Sequence, residues 1–321
     1  MSTSPWEVGF TDCTIRRLSP RVRRIVSREP VYGGEGLRTY MVGEGEVAVI
    51  DPAPNSRPLL EAILAATEGE RVTHILMTHT HGRRSALAAD LAAHCGAEIL
   101  TPDQGLSHGR RITGSDWTLH ALSAPGHTVD HVAFALEEES LLLCGELVCG
   151  WSPDPALDRD GDLAAALTSL RAVRRAGFHR LLPAIGPEIC HVDEFLTACL
   201  VQAARREREI LSLVEQAGAC SAWDLAEGCD ARLHGLVQPA AADLLLAYLV
   251  KLARERRLTA PAPPSLFTRF AAPAALGLPP AGLRRREHRL DNLWAFPLSA
   301  SAIDAHFTSL ETAQRQTGAR R

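Results

Sequence analysis

The stretch Thr78-His79-Thr80-His81-Gly82-Arg83-Arg84 directly follows an apolar, β-branched run at residues 72–77. Such a run predicts a buried strand, and the two histidines stand where this strand ends. Side chains two residues apart on an extended segment point to the same side, so His79 and His81 present their imidazoles together. This spacing is typical of a metal-chelating site.

Further motifs lie on both sides of this stretch. They are Thr39-Tyr40-Met41-Val42-Gly43, Val47-Ala48-Val49-Ile50-Asp51-Pro52 and Pro125-Gly126-His127-Thr128, the last followed by Asp130-His131. In this order they resemble the metallo-β-lactamase superfamily, whose elements at these points read T-Y-L-V-G, V-I-D-P-G, T-H-x-H-x-D-H and P-G-H-T. The resemblance covers roughly the first 190 residues and implies an α/β fold, the αββα sandwich of that superfamily.

The same resemblance implies a set of metal ligands. It assigns His79, His81 and His127 to one divalent metal ion, which we expect to be zinc, and it sets Glu146 where the family has a bridging Asp. Three protein ligands leave one position of a catalytic zinc site open. Glu146 is then either a fourth ligand or a catalytic base that acts on water. The pair Asp130-His131 is expected to support the ligands from behind.

Three further positions depart from the family motifs. Arg83 and Arg84 stand where the family has its D-H pair, and Ile185 replaces the histidine of a later P-G-H-G element. At an effective dielectric of ~20, a guanidinium ~5 Å from a doubly charged ion costs about 6–7 kcal/mol, so a second ion is not expected.

Residues 85–94 are predicted to be helical, and a helix N-terminus attracts anions. We hypothesise that the two arginines bind an anionic part of the substrate; solvated arginines are the alternative.

Composition limits the classes of function. The formal net charge is −4, which does not favour nucleic-acid binding. The eight cysteines form no CxxC pair, which is typical of reduced thiols in a cytoplasmic protein. The first residues lack the apolar core of a signal peptide, and no run of about 18 apolar residues occurs, so no membrane segment is expected.

The pattern changes at about residue 190. Residues 191–260 are rich in helical periodicity and resemble the small winged-helix-like α domain that follows the lactamase fold in a group that includes endoribonucleases. A packing or dimerisation module, which would make the protein a homodimer, is an equally open interpretation. Residues 261–321 form a Pro/Ala-rich linker and tail, in which residues 301–312 fit an amphipathic helix.

Three functions remain open from the sequence. The first is a mononuclear metal-dependent hydrolase that acts on an ester or thioester of a small anionic molecule, similar to the glyoxalase II-like hydrolase group. The second is a catalytically inactive binding protein of the same fold, because the second metal site has lost its ligands. The third is an RNA phosphodiesterase. The winged-helix-like domain favours it, and the negative net charge of the chain argues against it.

Overall fold

Both strands and helices occur in the first two-thirds of the chain. The computed structural model describes residues 7–10, 13–27, 36–80, 84–158, 160–227, 238–261 and 264–272. The strands in these ranges are β1 (Glu7–Phe10), β2 (Cys13–Arg17), β3 (Val22–Ser27), β4 (Arg38–Val42), β5 (Glu46–Ile50), β6 (Arg71–Leu76), β7 (Glu98–Leu100), β8 (Arg111–Thr113), β9 (Thr118–Ser123), β10 (Val132–Leu136), β11 (Leu141–Gly145), β12 (Arg180–Pro183), β13 (Ala219–Cys220) and β14 (Phe270–Ala271). The helices are α1 (Arg57–Ala66), α2 (Arg84–Cys95), α3 (Leu163–Ala176), α4 (Val192–Ala217), α5 (Ala222–Glu227) and α6 (Gln238–Arg254).

The first sheet contains β1 to β7 in sequential order. Strands β1 to β5 pair antiparallel, whereas β5, β6 and β7 are parallel because helices connect them. The Gly43-Glu44-Gly45 sequence between two apolar runs predicts a hairpin, and β4 and β5 form one there. Gly43 has a φ of +105° there, and a Cβ on it would lie 2.3 Å from the Trp117 ring, so both conformation and space require glycine.

The second sheet contains five strands in the order β12-β11-β10-β9-β8. Its inner strands pair antiparallel, and β12 runs parallel to β11. The two sheets meet at β4 and β12, where the Tyr40 hydroxyl donates a hydrogen bond to the Pro183 carbonyl at 2.7 Å.

The apolar core has two layers. Alternate residues of both sheets form the layer between them, with Phe134, Trp117 and Ile50 among its largest members. The other face of the first sheet packs against α1 and α2 through Leu59, Ile63 and Leu91, among others. Because strand side chains alternate between faces, strands β3 to β7 contribute to both layers.

One edge of this arrangement collects the ends of several strands. The carboxyl ends of β5, β6, β11 and β12 lie there, because parallel strands end at the same edge. A hydrogen bond from Val132 N to Thr78 O, at 2.7 Å, joins the two sheets at this edge. The loops that leave these strands carry the residues that the sequence motifs single out.

The chain divides into two compact units, Met1–Arg205 and Arg206–Arg321, and the division falls within α4. In the second unit, Lys251 of α6 pairs with Glu207 of α4 at 2.6 Å, and β13 pairs with β14. The winged-helix-like character of residues 191–260 and the boundaries at residues 190 and 260 stay predictions. The predicted helix at residues 301–312 lies outside the described residues. Within the described residues, no helix combines the length and apolar character needed to cross a membrane.

Candidate metal centre

Asp51 anchors the segment that follows β6. Its buried carboxylate accepts two hydrogen bonds from Thr78, one from the backbone N at 2.8 Å and one from Oγ1 at 2.7 Å. The backbone N of Asp51 also donates to the Leu76 carbonyl at 3.0 Å. Asp51 has a φ of +48°, a conformation that Asp and Asn adopt more readily than most residues.

This arrangement defines the protonation of His79. Thr78 gives its only hydroxyl proton to Asp51, so the contact of 2.9 Å between Thr78 Oγ1 and His79 Nδ1 requires the imidazole to donate. The proton of neutral His79 therefore lies on Nδ1, and Nε2 keeps its lone pair. Hydrogen bonds of this kind orient metal-binding histidines and select their tautomer.

His127 is held in the same tautomer by a different partner. Its Nδ1 lies 3.1 Å from the Ala156 carbonyl, which can only accept, so this nitrogen carries the proton. The preceding Gly126 lies against α3, where a Cβ would come within 2.5 Å of the Ala166 Cα. The glycine of the P-G-H-T element thus allows the histidine loop to approach the helix closely.

Glu146 follows the last residue of β11. Its backbone N donates to His131 Nε2 at 3.2 Å, which commits that ring nitrogen to the backbone. Gly145 has a φ of +55°, and a Cβ there would lie 2.6 Å from His131 Nε2. His131 is completely buried, so this contact supports the position of Glu146 from inside the protein.

His79, His127 and Glu146 form a buried cluster. They are 3%, 7% and 8% exposed, and one ligand atom of each lies within 4.8 Å of the others. His127 Nε2 and Glu146 Oε2 are 3.4 Å apart. A proton on this nitrogen or a cation bound between the two groups would make the contact with the negative carboxylate favourable. Two histidine nitrogens and a carboxylate are suitable ligands for a divalent metal ion, so the donor set fits one.

Asp130 connects the His79 loop to the His127 loop through hydrogen bonds. Its Oδ2 accepts hydrogen bonds from Thr80 Oγ1 at 2.7 Å and Thr80 N at 3.3 Å, and its Oδ1 accepts one from Thr128 Oγ1 at 2.6 Å. Burial by itself raises the pKa of Asp130, but these hydrogen bonds outweigh it and lower the pKa. The carboxylate is therefore ionised at neutral pH and binds both loops.

Loss of the hydrogen bonds that Asp130 accepts should weaken metal binding. We expect Asp130→Ala to raise the metal dissociation constant about ten- to hundredfold, the usual effect of removing a group that orients ligands. Thr80→Val, which removes one donor, should have a smaller effect and should add little in the double variant. Competition with a chromophoric chelator measures the constant. Exposed Asp103 offers a matched control, Asp103→Ala, and equal affinities of the two alanine variants would contradict the prediction.

Of the other residues that the sequence singled out, the structure describes only some. His81, Gly82 and Arg83 lie outside the described residues, and Arg84 begins α2 without a described side chain. Ile185 is 4% exposed and follows β12 at the same edge as Glu146. Asp51, Thr78 and Ala156 were missed as supports of the histidines. For the first two the signal existed, because both stand within the quoted motifs.

Comparisons with known proteins find lactamase-like proteins and thioesterases among the relatives, although no family model matches the chain. It is 34% identical over 187 residues to a lactamase-like protein of Penicillium aethiopicum, an alignment that covers 54% of this chain and 60% of the relative. It is 31% identical over 215 residues to an atrochrysone carboxyl ACP thioesterase of Paecilomyces divaricatus, which covers 63% of this chain and 67% of the relative. The chain thus spans about 60% to 67% of the length of these relatives.

Solved structures support the fold at lower identity. A metallo-β-lactamase family protein of Thermus thermophilus matches with a TM-score of 0.62 and 21% identity, over 80% of this chain and 100% of that chain. A β-lactamase domain protein of Burkholderia ambifaria matches with a TM-score of 0.64 and 15% identity, over 80% of this chain and 93% of that chain. These likenesses confirm the mixed α/β fold expected from the sequence.

Proposed function

Because this chain belongs to the metallo-β-lactamase superfamily, we propose that it is a metal-dependent hydrolase of acyl thioesters with one metal ion per site. The buried cluster of His79, His127 and Glu146 is the observation that carries the proposal. The relatives named thioesterases support the choice of substrate. His81 completes the proposed ligand set, as the family motif implies.

The residues of the chain have distinct roles in this proposal. A bound divalent ion supplies Lewis acidity, which polarises a carbonyl and makes water more acidic near neutral pH. His79 and His127 present Nε2 because Thr78 and Ala156 hold their Nδ1 protons. Glu146 contributes a negative charge in a buried setting, as a ligand or as a base.

The net reaction requires a group that transfers a proton. Hydrolysis forms a C–O bond, breaks the C–S bond and transfers a proton from water to the departing thiolate. A carboxylate next to the reacting atoms can carry that proton, and Glu146 is the buried acid of the cluster. His131 keeps the Glu146 backbone in place during this exchange through its hydrogen bond.

The loss of second-site ligands supports a single ion. Ile185 occupies a buried position after β12 and has no atom that binds a metal. Arg83 and Arg84 would repel a second cation. We keep the proposal that these two arginines, which stand at the positions of the family's D-H pair, bind an anionic part of a substrate.

Metal analysis together with thioester hydrolysis tests the function. We expect about one equivalent of zinc or another divalent metal per chain. We also expect hydrolysis of S-acetyl- or S-malonyl-N-acetylcysteamine, measured as loss of the thioester absorbance. Dialysis against a chelator should reduce the rate to the uncatalysed background, and adding back the metal should restore it.

Other outcomes would favour the alternatives. A protein that binds metal and hydrolyses bis-p-nitrophenyl phosphate, but hydrolyses no thioester, would be a phosphodiesterase and not a thioesterase. A folded protein that retains no metal after reconstitution and hydrolyses neither substrate would be a binding protein.

A further inference from the structure

Three arginines share one face of the first sheet. In the antiparallel register Arg16 lies opposite Arg24, and Arg24 lies opposite Tyr40. Arg38 stands two residues before Tyr40 on β4, so its side chain points to the same face. Tyr40 belongs to the core between the sheets, which places this face on the side of β12, the edge strand of the second sheet. We call Arg16, Arg24 and Arg38 the arginine shelf.

The arginine shelf brings together one buried, one half-buried and one exposed guanidinium, those of Arg38, Arg24 and Arg16 in that order. Arg38 is only 4% exposed, and Nε of Arg24 is buried without a hydrogen-bond partner in the described part of the chain. Burial lowers the pKa of Arg24, and the charges of Arg38 and Arg16 lower it further, while Tyr40 and Glu188 oppose them. Glu188 is already paired with Arg180 at 3.3 Å. An anion that accepts a hydrogen bond from Arg24 would therefore be stabilised at the shelf.

The arginine shelf adjoins the edge that carries the metal centre. The backbone N of Arg38 donates to the Ala184 carbonyl at 3.0 Å, and the backbone N of Ala184 donates to the Gly145 carbonyl at 2.8 Å. Glu146 is the next residue. Two hydrogen-bonded neighbours in succession keep the backbones of Arg38 and Gly145 within about 10 Å of each other. An extended substrate at the metal centre can span this distance.

We propose that the arginine shelf is an anion subsite, which binds a carboxylate or phosphate carried by the substrate of the adjoining metal centre. The inference rests on the proposed thioesterase function for the identity of that substrate. Guanidinium groups bind both anions through paired hydrogen bonds, and such charge-assisted bonds are stronger than neutral ones. Two parts of a thioester can supply the anion: a carboxylate on the acyl chain, or the phosphate of a phosphopantetheine thiol.

Three substrates distinguish these sources. S-malonyl-N-acetylcysteamine carries only the carboxylate, S-acetyl-4′-phosphopantetheine carries only the phosphate, and S-acetyl-N-acetylcysteamine carries neither. We expect Arg24→Met to raise KM at least about tenfold for the substrate whose anion binds the shelf, with little change in kcat. KM for the uncharged acetyl thioester should not change.

Further variants separate recognition from folding. Arg16→Met should show the same selectivity with a smaller effect, whereas Arg24→Lys should recover part of the affinity because it keeps the charge. Arg171 is exposed on α3, so Arg171→Met is the matched control. Equal changes in KM for all three substrates, or no change for any of them, would overturn the proposal.

A binding measurement keeps the test independent of catalysis. Isothermal titration of the chelator-treated full chain with malonate and with inorganic phosphate should detect binding of at least one anion. Arg24→Met should reduce that affinity about tenfold or more, even if no thioester is hydrolysed. If the wild-type chain binds neither anion, or if Arg24→Met binds as tightly as wild type, the arginine shelf is not an anion site.

Discussion

Replacing His127 by alanine is expected to remove the bound metal and to reduce thioester hydrolysis by more than about a thousandfold. The variant removes one of the three histidines proposed to hold the ion, and a catalytic zinc site normally needs three such protein ligands. Glu146→Gln should have a comparable effect on metal retention. Two unit charges 4 Å apart attract by about 4 kcal/mol at an effective dielectric of 20, and a doubly charged ion by about twice that.

Elemental analysis and thioester assays of the purified variants measure these effects. His179 is exposed and lies in the same compact unit, so His179→Ala controls for the loss of an imidazole elsewhere. Retention of one equivalent of metal by both His127→Ala and Glu146→Gln, with wild-type rates, would refute the proposed centre. Retention of metal by Glu146→Gln with loss of hydrolysis would make Glu146 a base and not a ligand.

Replacing Asp51 by alanine is expected to lower the free energy of unfolding by about 3–7 kcal/mol. The variant leaves Thr78 N and Oγ1 as buried donors without their acceptor, at about 1–3 kcal/mol for each. The positive φ at this position adds strain of about 1 kcal/mol for alanine. The loss should also release the Nδ1 proton of His79 and thus weaken metal binding.

Urea denaturation of the chelator-treated protein measures the stability, and nitrogen NMR of the histidines measures the tautomer. Asp51→Asn separates the two contributions, because Asn tolerates the positive φ but offers only one acceptor oxygen to two donors. Asp90 is exposed on α2, so Asp90→Ala is the control. A stability loss below about 1 kcal/mol, with His79 still protonated at Nδ1, would show that Asp51 does not support the centre.

The sequence alone was sufficient for the local features of this protein. The apolar run before His79, the hairpin at Gly43-Glu44-Gly45 and the P-G-H-T element predicted strand ends, turns and two of the clustered histidines. These are short-range properties, because strand periodicity and turn geometry depend on neighbouring residues. Gly145-Glu146 was recognised by its place in the order of motifs, and the structure brings Glu146 to the histidines.

Tertiary structure decided how these residues are supported. Strands β2 and β3 were not predicted, because the pair of arginines in each interrupts the apolar alternation. The pairing of Asp51 with Thr78 spans 27 residues, and that of His131 with Glu146 spans 15. The arginine shelf depends on the antiparallel register of three strands and on the edge strand of a second sheet. Partners of this kind are set by register and packing across the fold, which a linear pattern of residues does not encode.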